Sequence, residues 1–196
     1  VYSRIANALI ADVTLPAVNV ESQREGGLTT ESTRSATRTD TPLRDIAQTI
    51  NVVPQELIRA QNTTSLADAL RNVPGITLTA PEGGTQNQQN FWLRGFPASG
   101  DLFLDSVRDV GEYNRDLFDI ESVEVLKGPS ALIFGRGSAG GAINQVSKLP
   151  YLGTGTELGL TLGSYEQRRA TVDFNWTVGE RSALRINAMA EDADSF

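Results

Sequence analysis

Apolar and polar positions alternate strictly in three stretches near the C-terminal end of the chain. Leu158, Leu160 and Leu162 are separated by Gly159 and Thr161. Ala170, Val172, Phe174, Trp176 and Val178 interleave with Arg169, Thr171, Asp173, Asn175 and Thr177, and residues 184–191 repeat the rhythm with Arg185 and Asn187 on the polar side. Successive side chains of a strand point to opposite faces, so these runs, joined by the short connections GSYEQ and GERS, predict an antiparallel meander with one apolar and one polar face. Two settings suit it: half of a soluble sandwich, or the wall of a transmembrane β-barrel with lipid outside and a polar lumen inside. Trp176, close to GERS, sits where a membrane-interface aromatic belongs, although sandwiches bury Trp as well.

Upstream the pattern changes. Thr41 and Pro42 suit the N-cap and first position of a short helix, residues 46–54 read as a strand, and a helix comes next over residues 55–60. The clearest helix is SLADALRNV at residues 65–73, where Ser65 and Asp68 form a capping pattern, Leu66, Ala69, Leu70 and Val73 share a face, and Pro74-Gly75 stops it. Strands are expected at residues 76–80, 90–93, 102–107, 123–127 and 143–147, with a polar Gly-bearing loop at 81–90. Helices early and strands mostly later predict an α+β domain with a small mixed sheet and short helices. At the other end, residues 12–20 (DVTLPAVNV) are extended in character, and residues 21–41 hold almost nothing apolar and predict a mobile tether. A strand-like segment on such a tether is either bait for a partner or a frayed terminus.

Composition narrows the chemistry. The 196 residues carry a formal charge of −7, which argues against nucleic acid as a partner. Neither Cys nor His is present, so there is no disulfide, no thiolate nucleophile, no imidazole base and little basis for a zinc site. The chain is not expected to be an enzyme or to hold a resident cofactor. No apolar run is long enough for a signal peptide or a transmembrane helix.

One motif points the other way. Gly135, Gly137 and Gly140 are spaced as G-x-G-x-x-G, the spacing that can wrap a pyrophosphate. A dinucleotide fingerprint also needs a helix after the glycines, whose N-terminus holds the phosphates. In this chain the glycines lead into Gly141, then AINQVSK with a β-branched alternation, then Pro150. That segment is too short and too strand-like for a crossover helix, so the glycines are expected to serve tight turning and close packing.

LRGF at residues 93–96, FLDSVRD at 103–109 and above all IESVEVLKGPSALIFGRGSAGGAINQVSK at 120–148 closely resemble the plug domain of TonB-dependent outer-membrane receptors. RDLFDIESVEVLKGPSALIFGRG is most similar to receptors for catecholate siderophores. DVTLPAV, formed by Asp12, Val13, Thr14, Leu15, Pro16, Ala17 and Val18, resembles the family's TonB box. The resemblance implies a tether with its TonB box at residues 1–40, a plug at 41–150 and the first three or so strands of a transmembrane barrel from 151 to 196. Family barrels have about 22 strands, so three cannot close a pore, and a longer parent chain is expected.

The implied function is uptake of a ferric siderophore across the bacterial outer membrane, with the iron as cargo and TonB, the siderophore and membrane lipid as partners of a monomer. A soluble binding or signalling module with a plug-like fold is the alternative. Apical loops at residues 85–90, 97–100 and 109–115 would face the ligand, with Gln88, Tyr113, Asn114 and Arg115 suited to an anionic, aromatic chelate. The family fastens its plug through basic residues to barrel glutamates. Arg94 in LRGF matches one such position, and Lys127 stands at another that is often Arg.

Overall fold

The computed structural model describes residues 30, 32–33, 41–79, 90–111, 113–129, 134–135, 139–164 and 166–194. The first element among the described residues is a two-stranded ribbon, β1 (Ser32–Thr33) antiparallel to β2 (Thr41–Pro42). This corrects two expectations. Residues 32–33 lie within the stretch read as a mobile tether, yet Thr33 is buried. Pro42 does not begin a helix: at φ −56°, ψ 138° it stays extended, and a single 3-10 turn comes after it at Leu43–Asp45 without a side-chain cap. Pairing with Ser32 holds Pro42 in the ladder and delays the turn.

The strand β3 (Thr49–Pro54) leads directly into α1 (Gln55–Ala60). Next comes α2 (Leu66–Leu70), shorter than the apolar pattern predicts but capped as expected, with the Asp68 amide donating to Ser65 Oγ at 3.2 Å. Then come β4 (Ile76–Thr79), β5 (Asn90–Leu93) and β6 (Phe96–Pro97). The run expected at 102–107 is two strands, β7 (Leu102–Leu104) and β8 (Val107–Arg108). Between them Asp105 (φ 49°) and Ser106 (φ 68°) make a tight hairpin turn in which both central residues have positive φ. Finally β9 (Ile120–Lys127) and β10 (Gly141–Ser147) form a long antiparallel pair.

The central sheet has the order β3-β9-β10-β7-β8 and is mixed, since β10 and β7 run parallel while the other pairs are antiparallel. Period two gives β9 two buried faces. Val123 and Val125 meet Leu66, Leu70 and Ile58 of the helices. Leu126 lies on the other face with Phe103, Phe134 and Ala142. Gly141, at the end of the glycine-rich segment, opens β10 directly beside β9. At Gly141 a Cβ would sit 1.9 Å from the Leu126 carbonyl oxygen, and φ is +136°. Close packing of backbone on backbone therefore accounts for that glycine, and a strand occupies the place of a nucleotide-binding helix; Gly137 lies outside the described residues.

The three alternating runs form their own meander, β11 (Gly155–Leu162), β12 (Arg168–Gly179) and β13 (Ser182–Asp192). Their polarity is reversed relative to a soluble protein. Leu160 is 86% and Trp176 66% exposed, with Leu158, Leu162 and Val178 alongside, whereas Arg169, Asp173 and Asn175 on the opposite face are buried.

Candidate functional site

The polar face of the meander is buried because it meets the globular part, charge against charge. Arg169 donates to both carboxylate oxygens of Asp116 at 2.6 Å and to Glu191 at 2.6 Å. Farther along β12, Asp173 accepts from Arg185 at 2.8 and 2.9 Å and lies 3.1 Å from the Lys148 ammonium. Lys148 also donates to the Phe118 carbonyl at 2.6 Å, and Arg185 to the Leu149 carbonyl at 3.0 Å. Asn175 closes this end through the Tyr151 and Gly153 backbone. Alternating charged residues on a strand face were the sequence signal for this surface. Their partners, Asp116, Lys148 and Glu121, the last 3.8 Å from Arg185, carry no comparable signal and were missed.

Asp116 comes directly after the loop at residues 109–115, one of those expected to face a ligand. Asp109 organises it. Its carboxylate accepts from the Tyr113 hydroxyl at 2.7 Å, Arg115 Nε at 2.8 Å and the Gly111 amide at 3.2 Å. Burial opposes the charge on Asp109, but these hydrogen bonds and the nearby guanidinium outweigh it and hold the carboxyl below its usual range. Partial burial, then the bond to Asp109 and its negative charge, push the Tyr113 phenol up. The Arg115 guanidinium lies 4.5 Å from the centroid of the Tyr113 ring.

Arg115 is only 4% exposed and also donates to the Gly111 carbonyl at 2.6 Å. Its donors are turned to the loop's own acceptors, so here it is a strut beneath Tyr113, whose side chain is exposed, as is Asn114. Gln88 and the segment from Asp12 to Val18 lie outside the described residues.

Arg94 and Lys127, far apart in sequence, come together. Arg94 turns the chain between β5 and β6 at φ 55°, and Lys127 ends β9. Burial first, and then the Arg94 charge, lower the Lys127 ammonium. Among the described residues no carboxylate forms an ion pair with either.

Comparison with known proteins agrees with this architecture. Residues 42–142 match the family model described as TonB-dependent Receptor Plug Domain. The chain is 41% identical over 184 residues to the probable TonB-dependent receptor BfrD of Bordetella pertussis (strain Tohama I), covering 94% of this chain and 24% of that protein. It is 37% identical over 152 residues to the catecholate siderophore receptor Fiu of Escherichia coli (strain K12), covering 76% and 20%. The closed form of the E. coli Fiu crystal structure superposes with a TM-score of 0.78 at 34% identity, over 85% of this chain and 24% of that one. The Pseudomonas aeruginosa receptor FpvA bound to pyoverdine gives 0.80 at 27% identity, over 89% and 26%. This chain thus spans about a quarter of the length of the curated relatives it matches. On the matched domain and these identities, the chain belongs to the TonB-dependent outer-membrane receptors.

Proposed function

We propose that this chain is the stopper and first wall strands of a receptor that takes up a ferric siderophore of catecholate type across the bacterial outer membrane, driven through TonB. One observation carries the reading: the meander turns Arg169, Asp173 and Asn175 onto the globular part and leaves Leu158, Leu160, Leu162 and Trp176 outside. In water, a contiguous apolar face of this kind is a liability. In a barrel it is the lipid-facing band, and the buried polar face is the lumen side gripping its plug. A soluble module would leave that face wet.

The remaining parts fit this setting. The tether (1–40), plug (41–150) and wall (151–196) divide the labour, with residues 12–18 adding an edge strand to TonB through main-chain hydrogen bonds. Arg94 and Lys127 receive their anions from carboxylates elsewhere on the barrel. Tyr113, held from below by Asp109 and Arg115 and followed by exposed Asn114, offers a ring face on which a catecholate can stack, and Gln88 is assigned to the same ligand surface from the sequence. No resident cofactor or enzymatic step is needed, since iron travels inside its chelate, and the receptor acts as a monomer. The choice of a catecholate rests on the likeness to Fiu.

The deciding experiment expresses the complete receptor in bacteria stripped of their own iron receptors and supplies radiolabelled iron as a tris-catecholate or as a trihydroxamate. The expected result is catecholate-selective uptake that stops when the proton-motive force is collapsed. Absence of uptake from the tris-catecholate, or uptake that persists after the proton-motive force is collapsed, sinks the reading.

A further inference from the structure

Asp116 stands where three parts of the fold meet. Before it in the chain is Arg115, the strut beneath Tyr113, and after it Leu117 is buried in the core. The backbone of this stretch makes an isolated antiparallel bridge with Ser65, the N-cap of α2. In that bridge the Leu66 amide donates to the Arg115 carbonyl and the Leu117 amide to the Thr64 carbonyl, both at 3.0 Å. The Asp116 side chain reaches the meander, where both its oxygens accept from Arg169 at 2.6 Å. Its Oδ1 also accepts from the Phe118 amide at 2.9 Å, which orients the carboxylate.

Arg169 does not depend on this partner for its charge. Its cross-strand neighbour on β13 is Glu191, to which it donates at 2.6 Å, and Gln167 donates to the other Glu191 oxygen at 2.8 Å. Arg169 therefore keeps a carboxylate when Asp116 is taken away, and Asp116, whose side chain is 21% exposed, keeps the Phe118 amide and meets water. Breaking a buried pair is costly chiefly because it strands one charge, and here neither is stranded. What the contact fixes is direction. A two-pronged bond between guanidinium and carboxylate sets both the separation and the plane of its partners, and this one lies one residue from the strut and three from the exposed ring of Tyr113.

We propose that Asp116 is a positioning residue for ligand binding: through Arg169 it sets the 109–115 loop, and Tyr113 with it, at one place against the wall. The use of that placement, presenting Tyr113 to a siderophore, rests on the function proposed above; the placement itself does not.

The test uses the complete receptor without ligand or TonB, spin-labelled through Val110→Cys in the loop and Ser164→Cys in the β11–β12 connection, two exposed positions. The distance between the labels should form one narrow distribution with Asp116 and Arg169 in place and should widen in Asp116→Asn and in Arg169→Gln. In the unlabelled receptor, affinity for ferric tris-catecholate should fall about fivefold in either variant, and about fivefold again rather than about 25-fold in the double variant, because both act through one contact. Residues that merely stiffen the fold independently would give additive losses. An unchanged distance distribution in either variant, wild-type affinity in both, or additive losses in the double variant would overturn the proposal. Should the wild type bind no tris-catecholate, the transport reading fails, while the distances still decide whether Asp116 places the loop.

Discussion

Asp109 shows how much one carboxylate can decide. It fixes Tyr113 from one side and neutralises buried Arg115 from the other, and the two partners stack on each other. The folded pKa of Asp109 is depressed, so its contribution to loop stability is fully present above the ordinary value of 3.8 and is lost as pH falls through the folded value. Tyr113 is shifted upward, so its contribution is present below 10.0 and is lost as pH rises through its folded value. The loop is expected to hold its form between those limits. A wild-type minus Tyr113→Phe difference titration, read by tyrosinate absorbance, should show one phenol ionising above 10.0. Removing that hydroxyl leaves the ring and the guanidinium beneath it, so Tyr113→Phe should bind ferric tris-catecholate as wild type does. Tyr113→Ala, lacking the ring, should lose roughly fivefold in affinity by equilibrium binding, about 1 kcal/mol. Equal affinity in all three proteins would remove Tyr113 from the ligand surface.

At the scale of elements, β9 and β10 set the geometry of everything else, and Gly141 sets theirs. The Leu126 carbonyl beneath it is backbone within a continuous ladder and cannot swing aside as a side chain end could. Gly141→Ala should therefore cost about 3 kcal/mol or more, from the clash together with the positive φ, and show as lost thermal stability or failed assembly. A variant with wild-type stability would mean that the two strands part more easily than their pairing implies. The elements legible in the sequence were those with a strong period: α2 from its capping Ser65 and one apolar face, and β11 to β13 from strict alternation. The β7–β8 hairpin was not, because its turn uses Asp105 and Ser106 without glycine. It is stabilised from outside, by the Ser147 amide donating to Asp105 at 2.8 Å and the Ser106 amide donating to Asn144 at 2.9 Å. Tertiary contacts of this kind leave no local signature, and the same reason hid β1, a polar pair ordered by Glu124. Arg115 invited a ligand role because a guanidinium suits an anion, and nothing in the sequence reveals that neighbouring acceptors already occupy it.

For the whole molecule the question is where a pull would be felt. The meander grips the globular part at two levels, through Arg169 with Asp116 near the 109–115 loop and through Asp173 with Lys148 near the chain's entry into β11. These contacts resist moving the plug as one body, since separation takes Lys148, a buried cation, from its carboxylate, while Arg169 keeps Glu191 and Asp173 keeps Arg185. Thr33 of β1, bonded to Glu124, precedes all of these contacts in the chain, on the side of residues 12–18. Deleting residues 12–18, the proposed handle for TonB, spares Tyr113, Arg169 and their partners. The complete receptor with that deletion should bind ferric chelate normally and import none, as measured by binding and uptake of labelled iron in the same cells. Leu15→Pro should act likewise, since a proline withdraws an amide from the strand to be added and restricts its backbone. Normal uptake in the deletion would mean that the pull enters elsewhere.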